Sequence, residues 1–440
     1  MTMGVFGTDG VRGRVGEQIT GSLCWWIGLG AARALGPGVV AVARDTRPSG
    51  PALSQAVIAG VRAGGADVID LGIAPTPALA WRVRQNGYAG GVMVTASHNL
   101  AEDNGCKVLM RGGDKADAGV REVIEAQLAA SRTPFVPGQR GRLLPGPGLD
   151  GWQPFRGVHL DGLRVVLDAA NGAAHWLGAE RLRAAGAVVT VLGDGDGRLI
   201  NSQCGATDPA RLSDEVLTTG ADLGIALDGD ADRLALVIRS DRTAIVLDGD
   251  AMLWVLAGGL GAGDAVVGTI MSNLGLEQGL RAAGVRFVRT PVGDAEVWDG
   301  MVASGARFGG EPSGHLMFRG DASDPVGSCG LTTTARVLAL GMDRVRERLA
   351  GWKPAVQRHG AVRISDAAWI ATGDPGGGIK ALVAARVAPL VAVAEGRGAR
   401  VVVRPSGTEP IIRVMVEHAE PEFAELALSQ LTDLLTRKGP

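Results

Sequence analysis

The chain has 440 residues, enough for about three domains at ~150 residues each. Glycine and proline fill about a fifth of it, against ~12% in an average globular chain, yet 46% of residues are hydrophobic and the glycines keep no three-residue period, which excludes collagen and low-complexity disorder. With 44 Lys and Arg against 46 Asp and Glu, the net charge of −2 lacks the basic excess of a polyanion binder, so no nucleic acid is expected as partner.

At the N-terminus, Asp9, Arg12 and Arg14 interrupt any apolar core, so a secretory signal is not expected. The glycine-rich stretch 6–13 carries Arg12, a charge suited to facing a phosphate. A unit then begins that recurs three times: an apolar strand, a polar turn, a helix, an Arg-Ala-small-Gly stop and a second apolar strand. Its first copy runs from the strand at 39–43 through the turn Arg44-Asp45-Thr46-Arg47-Pro48-Ser49 to the strand at 66–72. Each copy reads as a strand–helix–strand crossover, with strands buried on both faces and a glycine (Gly65, Gly186, Gly284) closing the helix.

A further apolar run, 92–94, delivers Thr95-Ala96-Ser97-His98-Asn99, and Lys107 follows ten residues after the serine. A serine at a strand end can be a nucleophile or carry a phosphoryl group once a base or a metal activates it. No G-x-S-x-G elbow surrounds Ser97, which argues against a hydrolase triad. Lys107 suits proton transfer or phosphate pairing. The Pro/Gly-rich segment 134–154 reads as a linker.

The second copy spans 163–193. Beyond it, the strand at 223–227 ends in Asp228-Gly229-Asp230-Ala231-Asp232-Arg233. Carboxylates at alternate positions converge on one hard cation if the loop curls, and an oxygen-only set suits Mg²⁺ or Ca²⁺. An EF-hand is excluded, because its sixth position would be Arg233 and its twelfth Arg239. The third copy, 265–288, precedes Gly309-Gly310-Glu311-Pro312-Ser313-Gly314-His315, a polar loop suited to hydroxyl-bearing ligands such as sugars.

The tail shows two strand-like runs, 401–403 and 411–416, and an amphipathic helix near 421–437, which predicts a smaller α+β unit. Between the runs, Arg404, Ser406, Gly407 and Thr408, with Arg413 after them, make a phosphate cradle of hydroxyls, freed backbone N–H groups and guanidiniums. Cys24, Cys106, Cys204 and Cys329 show no CxxC spacing, so neither a disulfide framework nor a zinc site is expected. The longest apolar runs, such as 251–263, fall short of the ~20 residues of a membrane span. A soluble cytoplasmic protein is expected.

In this order, FGTDGVRG (6–13), TASHN (95–99) with DNGCK (103–107), GRLINSQCG (197–205), DGDADR (228–233), MSNLGLE (271–277), GEPSGH (310–315) and RPSGTEPIIRVMVE (404–417) resemble the α-D-phosphohexomutase superfamily over nearly the whole chain, and within it the bacterial phosphoglucosamine mutases. The resemblance implies an α/β fold: three related α/β domains with mixed sheets plus a smaller C-terminal α+β domain around a central cleft. They are expected at 1–150 with the phosphoserine loop, 151–250 with the metal loop, 251–360 with the sugar-recognition loop and 361–440 with the phosphate loop. Ser97 would be the phosphoserine. Asp228, Asp230 and Asp232, with a phosphate oxygen of Ser97, would hold Mg²⁺.

By the same resemblance Glu311 and Ser313 would contact sugar hydroxyls, and Arg404, Ser406, Gly407, Thr408 and Arg413 the non-reacting phosphate. Lys107 and His315 are acid/base candidates, with Arg12 and His98 supporting Ser97. The implied reaction interconverts glucosamine 6-phosphate and glucosamine 1-phosphate, toward UDP-N-acetylglucosamine and cell-wall precursors. It passes through glucosamine 1,6-bisphosphate, with that or glucose 1,6-bisphosphate as activator. The partner is a phosphosugar, and the family contains both monomers and homodimers.

The chain departs from the family pattern at Leu100 after the serine loop, at Ala295 and Glu296, at Pro312, and at Ser328 and Cys329. Those in the third domain bear on sugar choice, so phosphomannomutase or phosphoglucomutase activity is the alternative. A catalytically inactive sugar-phosphate-binding paralogue is the alternative outside enzymes, and the intact Ser97, aspartates and cradle argue against it.

Overall fold

The computed structural model describes residues 6, 10–130, 140–319, 327–364, 378–405 and 411–436. Ser406, Gly407 and Thr408 of the expected cradle lie outside them. Among the described residues, three of the four sheets repeat one arrangement, in which a central strand lies between two parallel neighbours and the second neighbour turns back into an antiparallel fourth strand. In the first unit Val39–Arg44 lies between Asp67–Ile73 and Gly90–Val94, and the last of these pairs with Asp103–Met110. The second places Arg164–Asp168 between Val188–Leu192 and Leu223–Leu227, which turns into Leu234–Ser240. In the third, Ala265–Thr269 lies between Arg286–Thr290 and Phe308–Gly310, which turns into Leu316–Phe318.

Each crossover helix stops where a glycine takes the left-handed backbone a side chain would resist: Gly65 at φ +95°, Gly186 at +101° and Gly284 at +76°. Central strands are buried on both faces, as Val40, Ala41, Val42 and Ala43 show. The second strand of the later copies departs from that expectation. Val188 is 61% exposed, because Val188–Leu192 closes the edge of its sheet. Of the expected linker 134–154, the described part, 140–154, does more than connect. Leu143–Leu144 adds a parallel strand beyond Asp67–Ile73, and Trp152 is buried in the core shared with the second unit.

The fourth sheet is antiparallel, with Ile411–His418 between Val356–Arg363 and Arg400–Pro405, and with the helices Gly378–Gly396 and Pro421–Thr436 packed on it. The first strand and first helix escape sequence patterning. VQRHGAVR has little apolar alternation, and Pro389 interrupts the helix. The border expected at 360/361 falls inside Val356–Arg363.

This unit is seated on the third through Glu417, which is fully buried. One carboxylate oxygen accepts from the Leu274 N–H at 2.9 Å and the Gln357 amide at 2.7 Å, and the other from Arg400 at 2.5 Å. Arg400 also donates to the carbonyls of Ile270 (2.6 Å) and Ser272 (2.9 Å), so the segment MSNLGLE serves as the seat. Glu417→Ala would leave these donors unpaired and is expected to destabilise the junction by about 3–5 kcal/mol. Urea unfolding checks this, and an unchanged midpoint would contradict it.

Candidate active site

The turns that join the third and fourth strands in the three related units are 95–102, 228–233 and 311–315, and they meet. One topological position, used three times, thus supplies a serine, a carboxylate cluster and a Glu–His pair. Ser97 is 1% exposed, and its hydroxyl donates to Asp228 Oδ2 at 2.8 Å. Its backbone is left-handed at φ 53°, and its N–H donates to Thr95 Oγ1 at 2.9 Å, which in turn donates to Asp45 at 2.7 Å. Gly229 passes so close that a Cβ there would stand 2.6 Å from the Ser97 carbonyl oxygen.

Two residues with no chemical signature in the sequence, Arg47 and Asn201, hold the Ser97 turn. Arg47, with a fully buried side chain, donates to the carbonyls of Ser97 (3.1 Å), Asn99 (2.8 Å), Leu100 and Asp103 (2.9 Å), and to Asp45 at 2.9 Å. Asn201, from the second unit, donates to the carbonyls of Ser97 (2.8 Å) and Asn99 (2.9 Å). Strain gathers at the same place. Among the described residues, the non-glycine positions with left-handed backbone are Ser97 and Ala231 in two of these turns, Ala170, Asn171, Asn201 and Gln203 in two further loops of the second unit, and Asp241 in a hairpin. At about 1–3 kcal/mol each, such conformations persist where surrounding contacts over-determine them.

The carboxylates of Asp228, Asp230 and Asp232 are buried and offer oxygens within 4.8 Å of one another. Lys107 Nζ lies 2.7 Å from both Asp230 and Asp232, and the Thr76 hydroxyl donates to Asp230. Burial, then the charges of Asp232 and Asp230, push the Asp228 carboxyl up to about 7. Asp230 Oδ1 is buried with no hydrogen-bond partner among the described residues. An all-oxygen set with one buried carboxylate oxygen left without a partner fits Mg²⁺.

His315 joins this cluster to the third turn. Its Nε2 is 3.0 Å from Asp232 and its Nδ1 is 3.7 Å from Glu311. Burial alone would lower its pKa, but these carboxylates push it up to about 10, so it carries a proton. Glu311 also accepts from the Gly293 N–H at 3.0 Å, and the exposed Ser313 lies 3.5 Å from it. Gly314, at φ +87°, lets this turn touch the second unit, where a Cβ would meet the Leu234 carbonyl at 2.0 Å. His98 is the opposite case. Its Nδ1 is 3.5 Å from Ser97 Oγ, and burial with the charges of Arg233 and Arg12 lowers its pKa to about 4, leaving the ring neutral.

The departures from the family pattern have structural work here. Ser328 donates to the Asp232 carbonyl at 2.5 Å and accepts from the Leu316 N–H at 3.0 Å, and Cys329 caps the helix Gly330–Leu338. The Pro312 carbonyl accepts from the Gly249 N–H at 3.1 Å. Ala295 lines a cleft of about 430 Å³ between the first and third units, bounded by Asp232 and His315 and crossed by an ion pair between Lys115 and Asp294.

Of the expected site residues, the structure thus gathers Ser97, His98, Lys107, Asp228, Asp230, Asp232, Glu311, Ser313 and His315. Arg12 sits on the strand Val11–Arg14 opposite Gly105, where its charge reaches His98. Arg404 and Arg413 face each other across two strands of the C-terminal sheet and line a separate hollow with Met271 and His359.

Profiles of phosphoglucomutase/phosphomannomutase domains match the chain in order: alpha/beta/alpha domain I at 3–134, domain II at 155–241, domain III at 248–351 and the C-terminal domain at 371–430. A phosphoglucosamine mutase of Nocardioides sp. is 40% identical over 455 aligned residues, covering 99% of each chain. One from Frankia alni is 42% identical over 438, covering 94% of each. Among solved structures, a phosphoglucomutase/phosphomannomutase family protein of Burkholderia thailandensis superposes with a TM-score of 0.76 at 24% identity, covering 98% of this chain and 97% of that one. The N-acetylphosphoglucosamine mutase of Aspergillus fumigatus, solved with GlcNAc-6P and magnesium, gives 0.59 at 18% identity, covering 98% and 95%. With four domains matched in order and relatives aligned end to end, this chain belongs to the phosphoglucomutase/phosphomannomutase family.

Proposed function

We propose that this chain is a phosphosugar isomerase that interconverts glucosamine 6-phosphate and glucosamine 1-phosphate, with Ser97 as the phosphoryl carrier. The observation that carries this reading is the buried Ser97 hydroxyl, 2.8 Å from the first of three clustered aspartates. The relatives aligned over the full chain supply the amino sugar.

In the forward direction, phosphorylated Ser97 gives its phosphoryl group to the sugar O1, which loses its proton, and the serine hydroxyl and a 1,6-bisphosphate result. The bisphosphate turns over. Ser97 Oγ then attacks the 6-phosphoryl group, its proton passes to the departing O6, and glucosamine 1-phosphate leaves. Asp228, Asp230, Asp232 and a phosphate oxygen on Ser97 would hold Mg²⁺, which when bound offsets charge on the transferring group.

His315, held between Asp232 and Glu311, is poised to relay the Ser97 proton: it gives its own to the departing sugar oxygen and is recharged by the one that leaves Ser97. Lys107 supplies positive charge beside the carboxylates, and Arg12 does so near His98. Glu311 and Ser313 take sugar hydroxyls. Arg404 and Arg413, with Ser406, Gly407 and Thr408, take the phosphate that is not reacting. Seating them on a separate unit lets either end of the bisphosphate be held while the other reacts. Among the described residues no helix is long and apolar enough to cross a membrane, and we place the enzyme in the cytoplasm, as a monomer or homodimer.

The test is kcat/KM for glucosamine, glucose and mannose 6-phosphates with Mg²⁺ and a catalytic bisphosphate. Glucosamine 6-phosphate is expected to lead by ~10-fold or more. Equal values would remove the amino-sugar assignment and favour the broader phosphoglucomutase/phosphomannomutase reading, and no turnover of any would leave a binding paralogue.

A further inference from the structure

Arg47, from the first unit, and Asn201, from the second, donate to the same two carbonyls, those of Ser97 and Asn99. The remaining Arg47 donors hold Leu100, Asp103 and Asp45. A planar guanidinium is the side chain that can serve carbonyls and a carboxylate at once, whereas an ammonium is a point donor. The Arg47 guanidinium and the Asn201 amide N–H groups are committed to these carbonyls and to Asp45 rather than turned toward a sugar. Asn201 is itself held in a left-handed backbone, with its N–H on the Ala170 carbonyl at 3.0 Å.

We propose that Arg47 and Asn201 are positioning residues for phosphoryl transfer: a clamp drawn from two units that turns the backbone at Ser97 so that its oxygen faces the aspartate cluster. The inference rests on the reading of Ser97 as carrier. Its physical content is that the second unit supplies both Asp228, which receives the Ser97 hydroxyl, and Asn201, which holds the Ser97 carbonyl. Carrier oxygen and carboxylates are therefore a fixed pair, and the parts that move during reorientation are the sugar and the units that grip its far end.

The test uses the full chain, dephosphorylated, mixed with glucose 1,6-bisphosphate, with phosphoryl uptake on Ser97 followed by rapid quench and intact mass. Variants are Asn201→Ala, Asn201→Asp and Arg47→Lys, with thermal unfolding measured for each. Asn201→Asp keeps the shape but turns an oxygen toward two carbonyls. It is expected to slow uptake and kcat by ~100-fold, more than Asn201→Ala does, with KM for the sugar phosphate unchanged. Arg47→Lys is expected to slow uptake in the same way.

Wild-type uptake rates in folded Asn201 variants would overturn the clamp alone, and so would a loss of thermal stability with no change in the rate. No uptake by the wild-type chain would overturn the carrier reading, and the clamp with it.

Discussion

Ser97→Ala is expected to lower isomerisation by ~10⁴-fold or more while leaving the chain folded. The missing oxygen is the atom that must bond to phosphorus, and nothing beside it can stand in. His98, 3.5 Å away, is a neutral ring with its pKa lowered to about 4, and Asp228 is held by the Arg233 N–H as one of the three clustered carboxylates. The fold should survive, because the contacts that shape this turn run through the backbone. The Ser97 N–H still reaches Thr95, and its carbonyl still accepts from Arg47 and Asn201. Alanine keeps the β-carbon, so the left-handed φ of 53° brings no new strain. What is lost is one hydrogen bond to Asp228, worth about 1 kcal/mol, and Asp228 keeps the Arg233 N–H at 3.1 Å. The measurements are a coupled isomerase assay, intact mass after exposure to the bisphosphate, and thermal unfolding. Undiminished turnover would end the phosphoserine route, and a collapsed fold would recast the Ser97 hydroxyl as structural.

The chemistry of this site was legible because it lies in short contiguous turns. Ser97 and the three aspartates each follow an apolar strand that can be read by eye, Glu311 and His315 stand in a glycine-framed polar run, and the repeated crossover implied that the strands belong to related units. What the pattern could not reveal is which turns touch. Arg47 and Asn201 lie 50 and 104 residues from Ser97, and a buried donor's partners are chosen by tertiary packing rather than spacing. Lys107 shows the same limit from the other side. Its nearness in sequence to Ser97 suggested work at the serine, yet its strand, which pairs Lys107 with Met93, aims the ammonium at carboxylates 123 and 125 residues away. Val356–Arg363 was missed because a strand at the end of a small antiparallel sheet need not alternate cleanly. Its register is set by pairing with Ile411–His418 along its whole length.

Removing divalent cations is expected to abolish turnover and to lower the unfolding temperature, and Mg²⁺ should restore both. The cause is the charge balance of the buried cluster. Lys107 pairs with Asp230 and Asp232, while burial and these same neighbours push the Asp228 carboxyl up to about 7. A cation that binds the folded chain alone stabilises it by mass action, about 2.7 kcal/mol at a concentration 100 times Kd. Asp230→Asn separates this from general salt effects. It removes one charge and one ligand oxygen with almost no change in shape, and Lys107 keeps Asp232. The variant should therefore stay folded, lose activity by on the order of 10³-fold, and show no Mg²⁺-dependent rise in unfolding temperature. Titrating Mg²⁺ into chelator-treated wild type and variant while following both readouts decides the matter. Full turnover in chelator, or a wild-type unfolding temperature indifferent to Mg²⁺, would take the cation out of this site and leave Lys107 and His315 as the cluster's charge partners.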